Sequence, residues 1–316
     1  MLLRCELDAL PIQEVNDFAH RSTNDAVSHK CGHDGHMAMV AAVGDSYAAR
    51  RPALGRVVLL YQPAEETGDG AAAVLADERF QTITPDCVLA PHNLPGFPMG
   101  QVIIRAGAIC CASKGVVVRL HGRTAHAANP SAGINPTRAM CQLVEEFERI
   151  GDQIAPTEPL AFATVVGARL GDKAFGTAPG NASIMATLRS ETDLTMERIT
   201  EHVERTVKHV ATTYSLQHDI TYEDIFPATV NSARVIDAIG RVAGDASRVL
   251  DRPLSFSEDF GRFTSTYGGA LFGIGSGEGT PSLHSADYDF PDELIDIGAD
   301  VCRRIVDECL AGLPNE

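Results

Sequence analysis

Four short apolar runs in this chain each break off at a cluster of polar side chains, and no other feature limits the fold as much. LLRCELDAL runs into Asp8, and RVVLLYQPAEE carries residues 57–61 into Glu65 and Glu66. DCVLAPHNLP carries residues 88–90 into His92, and ALFGIGSG leads towards His284. Short apolar runs bounded by turn residues and separated by helical segments predict buried strands of a largely parallel α/β sheet. Three intervening helices are expected. One follows residue 33 with Met37, Val40, Ala41 and Val43 on one side; another near 70–80 carries Ala72, Val74 and Leu75. The last, over about 292–310, sets Leu294, Ile297, Val301 and Ile305 at helical spacing.

The middle of the chain alternates differently. In GVVVRLHGR, Val116, Val118 and Leu120 fall on one face and Val117, Arg119 and His121 on the other. A helix is expected next, with Asn135 as N-cap, Pro136 in the first turn and Ala139, Leu143, Phe147 and Ile150 in step. Two strands follow, LAFATVVGARLG and ASIMATLRSE, then a helix with Ile199, Val203, Val207 and Val210, then a strand near HDITYED. This β-α-β-β-α-β order predicts a ferredoxin-like α+β unit over residues 113–225, inserted into a parallel-sheet domain made of residues 1–112 and 226–316.

A net charge of −16 and the lack of a basic run argue against nucleic acid and anionic membrane as partners. No apolar stretch approaches the roughly 18 residues that span a bilayer. The opening MLLRCELDALPIQE has no signal-peptide core, and the eight cysteines follow no disulfide rhythm, so they read as reduced thiols of a cytoplasmic protein.

In open α/β sheets ligands bind at the carboxyl ends of the strands, which is where Asp8, Glu65, Glu66, His92 and His284 are expected. Within KCGHDGH, Cys31 and His33 open the helix beside that rim. Taken singly, a Glu pair reads as a solvated loop and a lone His as a structural residue; their joint placement is what carries the reading. Cys31, His33, Glu66, His92 and His284 are five donors, more than one tetrahedral structural zinc accepts, and they lack CxxC spacing. Two divalent ions sharing a water suit the set better, with zinc, manganese, cobalt or nickel all compatible with it. Glu65, not spent on coordination, is then the general base. Asp8 is expected to hydrogen-bond a ligand imidazole.

The ordered series LDALPIQE, CGHDGH, YQPAEE, PHNLP, SEDF and LHSADYDF resembles the two-metal aminoacylase and carboxypeptidase family of metallopeptidases. Within it, the series is most similar to the amidohydrolase branch of hippurate hydrolases and indole-acetyl-amino-acid hydrolases. The resemblance spans residues 3–290. It implies an α/β catalytic domain interrupted by a lid that also makes a homodimer. It assigns Cys31, His33, Glu66, His92 and His284 to the metals and Glu65 to the base. Asp34 and His36 match no ligand position, and His36 is expected to pack or cap near the helix start. GRTAHAANPSAGINP resembles the lid motif whose imidazole crosses the dimer, which gives His126 the developing oxyanion to stabilise. Asn181 and Arg189 resemble the residues that hold the substrate carboxylate, a task suited to the arginine fork.

The implied reaction is hydrolysis of the amide of an N-acyl amino acid or a similar N-acylated small molecule. A dipeptidase or aminocarboxypeptidase on the same metal core is the neighbouring alternative, and a non-catalytic metal-binding dimerisation protein is the rival from another class. The chain also departs from the family pattern: a helix and strand normally precede the LDALP segment. Without them, an exposed sheet edge and apolar surface are expected.

Overall fold

The computed structural model describes residues 1–158 and 160–312. Along the chain the elements are β1 (Leu2–Glu6), α1 (His33–Ala49), β2 (Val58–Gln62), α2 (Gly70–Ala76), β3 (Val88–Leu94), β4 (Val102–Ile104) and β5 (Gly107–Cys110). There follow β6 (Ala112–His121), β7 (Ala125–His126), α3 (Thr137–Glu148), α4 (Ile150–Ile154), β8 (Phe162–Leu170), β9 (Thr177–Ala178), β10 (Asn181–Ser190), α5 (Asp193–Thr213) and β11 (Gln217–Phe226). The chain closes with β12 (Thr229–Asn231), α6 (Ala233–Ala243), β13 (Ser247–Val249), α7 (Gly261–Tyr267), β14 (Gly269–Gly275) and α8 (Glu293–Gly312). Contacts divide it into two units. Unit 1 comprises residues 1–110, 229–254 and those from Glu258 on; unit 2 comprises Cys111–Ala228 and Ser255–Ser257.

Unit 1 is a six-stranded sheet in the order β13-β4-β14-β3-β1-β2. β1, β2, β3 and β14 are mutually parallel, and β4 reverses against β14. Every residue of β1, β3 and β14 is buried, as strands packed on both faces require. Parallel pairing puts their carboxyl ends on one rim. β2 lies at a sheet edge, where residues 58–60 are half-buried and Tyr61 is exposed.

Two helix faces differ from expectation. On α1, Met39 joins Val40 and Val43 in the core, while Ala41 faces solvent and Met37 is only partly covered. On α8 the buried stripe is Leu294, Gly298, Cys302, Ile305, Val306 and Cys309, with Ile297 at the surface. Small residues explain the rotation: a Cβ on Gly298 would stand 2.0 Å from Met39 Sδ, so the two helices meet where hydropathy reading finds no large side chain.

Unit 2 is an antiparallel sheet in the order β11-β6-β10-β8, with α3 and α5 packed on one face. Numbered within the unit this is order 4-1-3-2, that of the split β-α-β fold. The alternation along β6 holds residue by residue: Val116, Val118 and Leu120 are buried against Leu143, Phe147, Ile199 and Val203. Truncating Phe147 to alanine here should cost about 3–5 kcal/mol. Helix α3 starts later than expected, at Thr137, and Asn135 is not its N-cap. Pro136 occupies that position, and Asn135 Oδ1 instead accepts the Thr137 N–H at 2.9 Å.

Candidate metal centre

The rim of unit 1 gathers its polar side chains from five chain segments. Gly32, at φ +88°, turns the chain between Cys31 and the first residue of α1; a Cβ there would stand 2.8 Å from Asn93 Oδ1. The turn frees Cys31 and His33 to point into one space. His33 is fully buried. Its Nδ1 lies 3.0 Å from the Asp8 carbonyl oxygen and 3.5 Å from the Asp8 carboxylate, which leaves Nε2 facing Glu66 at 3.8 Å and Glu65 at 3.9 Å. Asp8 also accepts the Glu66 N–H at 2.9 Å, so one residue fixes both an imidazole and the backbone beneath a carboxylate. His92 lies inside β3 and not beyond it. Its Nδ1 donates to the Asn93 carbonyl at 2.8 Å, leaving Nε2 at 3.7 Å from Cys31 Sγ. His284 arrives on a loop at φ +66°, anchored by its N–H to the Lys30 carbonyl at 2.7 Å, with Nε2 at 3.6 Å from Glu66.

These residues form overlapping groups. Cys31, His33 and His92, then Cys31, Glu66 and His284, then His33, Glu65 and Glu66 each bring ligand atoms within 4.8 Å of one another. Two buried atoms aimed into the cluster, His33 Nε2 and Glu66 Oε1, have no hydrogen-bond partner among the described residues. A buried polar atom without a partner costs free energy that a cation would recover. The electrostatics have the same sign. Burial, then Glu66 and Glu65, push the Cys31 thiol up; burial and Glu258 raise Glu65 well above the usual carboxylate range, and burial raises Glu66. Burial opposes charge on His33, yet Asp8, Glu6 and Glu66 outweigh it and lift the imidazole to about 9. Each shift draws a proton into a site short of positive charge, and divalent ions would replace those protons. The donor set therefore fits metal: Cys31, His33, Glu66, His92 and His284 are side chains that could hold it, with Glu65 beside them.

A second layer went unread in the sequence. His36 is packed at the helix start and also makes polar contacts: fully buried, it lies 2.6 Å from both Glu6 Oε2 and Asn93 Oδ1, and Asn93 donates onward to the Tyr288 hydroxyl. Arg4, also fully buried, donates to Glu6, to both oxygens of Glu258 at 2.7 and 3.0 Å, to Asp259 at 2.7 Å and to Gln62 at 2.9 Å. Its only signal was two charged residues, Arg4 and Glu6, alternating in an otherwise apolar strand.

Unit 2 holds the other three candidates, and it does not bring them together. His126, on β7, is exposed; its Nδ1 accepts the Ala128 N–H at 3.0 Å, which puts the proton on an outward Nε2. Because β7 pairs with β9, His126 shares an end of the unit with Asn181, the first residue of β10. A depression of about 720 Å³ opens there, lined in part by Arg119, His121, Arg169 and Asn181. Arg189 lies at the other end of β10 and donates to Ser257 Oγ at 2.8 Å.

A mostly parallel sheet with a carboxylate-imidazole-thiol cluster at its strand ends, joined to a four-stranded α+β unit, defines the two-unit architecture of metallopeptidases. The chain belongs to peptidase family M20/M25/M40, whose pattern it matches over residues 2–308. It is 28% identical over 298 residues to a hippurate hydrolase of Campylobacter jejuni, spanning 93% of this chain and 77% of that one. It is 26% identical over 294 residues to an N-acetyldiaminopimelate deacetylase of Bacillus velezensis, spanning 92% and 77%. A dinuclear metal-binding M20 peptidase from Bacillus subtilis has the same fold, with a TM-score of 0.82, 22% identity and coverage of 98% and 81%.

Proposed function

We propose that this protein is a metal-dependent amidohydrolase that cleaves the amide bond of an N-acyl amino acid or a similar N-acylated small molecule. The observation that carries the reading is the pair of unpartnered ligand atoms, His33 Nε2 and Glu66 Oε1, buried among three further donors. Relatives that act on hippurate and on N-acetyldiaminopimelate support the substrate class. Two divalent ions held by Cys31, His33, Glu66, His92 and His284 would acidify a water and polarise the scissile carbonyl. Glu65 takes the proton of the attacking water and passes it to the departing amine. Unit 2 is the lid and the dimerisation domain. His126 of the partner subunit donates from Nε2 to the developing oxyanion, and Asn181 and Arg189 bind the carboxylate end of the substrate. The protein has no helix among the described residues long and apolar enough to cross a membrane, and we place it in the cytoplasm.

The test is a panel of acyl-amino acids and dipeptides assayed with and without chelator. Chelator-sensitive release of the amino acid from acyl substrates is the expected result. Cleavage of dipeptides alone would move the protein to the peptidase side of the family, and no turnover with metal bound would leave a binding protein.

A further inference from the structure

The SEDF stretch lies outside the five donors named above, yet its two acids group with the proposed base. Glu258 and Asp259 are 1% and 0% exposed, and both are held on Arg4. Asp259 reaches the two ends of the loop that carries Glu65 and Glu66. Its carboxylate accepts from Gln62 Nε2 at 2.9 and 2.8 Å, where β2 ends, and from the Ala71 N–H at 2.7 Å, where α2 begins. Residues 63–70 are thus closed at their base by one carboxylate. The closure is tight: a Cβ on Gly70 would fall 1.8 Å from the Pro63 carbonyl oxygen. Glu258 meets the loop from within, with carboxylate oxygens of Glu65, Glu258 and Asp259 all inside 4.8 Å of one another. From the other side Asp8 holds the Glu66 amide.

We propose that Glu258 and Asp259, clamped on Arg4, are positioning residues for the hydrolytic reaction: Asp259 fixes the loop and Glu258 fixes the carboxyl group of Glu65. The proposal rests on Glu65 being the base. Buried acids gathered on one guanidinium, here Glu258 and Asp259 beside Glu6, are a poor source of stability, because desolvation of each ion offsets most of the attraction and apolar packing of similar volume would do as well. They are a good source of geometry. Arg4 binds Glu258 through two nitrogens and Asp259 through one, which fixes both carboxylates in plane and distance. A base displaced by about 1 Å loses roughly a hundredfold in rate.

Two near-isosteric variants test this in the metal-loaded, full-length protein. Glu258→Gln replaces the carboxylate that stands beside Glu65 by an amide. Asp259→Asn turns an amide NH2 towards either the Ala71 N–H or Arg4, and towards Gln62 Nε2 in both orientations, donor against donor. Each should lower kcat about 10- to 100-fold, with KM and bound metal unchanged, because the loss falls on the transition state alone. In the metal-free protein, Asp259→Asn should also speed exchange of the Ala71 amide by about tenfold or more, reporting an opened loop independently of turnover. Wild-type kcat in both variants, or a fall in kcat that only tracks lost metal, overturns the proposal; so does failure of both to fold, which would make the pair structural. Glu65→Gln run alongside separates the two readings. If it still turns over, the base is wrong; if it is dead while Glu258→Gln and Asp259→Asn are fully active, the positioning is wrong.

Discussion

Asn181 and Arg189 share one face of one strand and stand at its opposite ends. β10 alternates buried and uncovered positions, and both residues fall in the uncovered set with Met185 between them. Eight residue steps along an extended strand cover about 26 Å. No small substrate spans that, so the two cannot grip one carboxylate from a single chain. His126 goes with Asn181 and not with Arg189, through the β7–β9 pairing. If all three serve one site, two copies of the chain must build it.

Subunit mixing tests that construction. Glu65→Gln and His126→Ala should each be nearly inactive alone, the latter by about 100- to 1000-fold in kcat. Mixed under conditions that exchange subunits, they should regain roughly a quarter of wild-type activity, since half the dimers are hybrids with one intact site each. Hybrids without activity would put His126 in its own chain's site, and normal turnover of His126→Ala alone would put it outside catalysis.

Glu65→Gln also tests the base directly. Glutamine keeps the shape of the side chain and accepts no proton, so kcat should fall about 100- to 10,000-fold while metal content, read by elemental analysis, stays at wild-type level. Loss of metal in this variant would instead make Glu65 a ligand.

The cluster at the rim was legible because its donors are rare residue types placed after apolar runs, and strand ends of a parallel sheet converge whatever the loops do. The unit 2 helices were legible for a similar reason: Ile199, Val203, Val207 and Val210 keep one period and all are buried. What stayed hidden depends on tertiary pairing. Arg4 finds Glu258 and Asp259 across more than 250 positions, and nothing local to any of them encodes the meeting. The polar contacts of His36 are hidden for the same reason, since its partners Glu6 and Asn93 lie on two different strands. On α8 the contact is made by Gly298 and Cys302, which an apolar-periodicity reading weights too lightly.

Metal uptake should release protons. Burial and the neighbouring Glu66 and Glu65 keep Cys31 a thiol in the metal-free protein, and His33, lifted to about 9, is an imidazolium at neutral pH. Both must lose a proton to become ligands, so affinity should tighten as pH rises. Calorimetry in buffers of different ionisation heat counts the protons. Cys31→Ala should release fewer and bind metal about 10-fold or more weakly; unchanged release and affinity would remove Cys31 from the ligand set.

In the metal-free protein two histidines should contribute to stability with opposite dependences on pH. His33 is raised from an ordinary 6.5 to about 9, so it stabilises the fold fully below pH 6.5, and that contribution is lost as pH climbs through about 9. His92 goes the other way. Burial, reinforced by His36, pushes it down to about 3, so its contribution is complete above pH 6.5 and is lost as pH falls towards 3. Bound metal needs His33 neutral, and it should remove the alkaline loss while leaving protein and metal to compete with protons on the acid side. Melting temperatures of chelated and metal-loaded protein between pH 5 and 9 decide it. A chelated protein whose melting temperature still rises from pH 7 to 9 would show that the acidic neighbours of His33 do not act on it in the folded state.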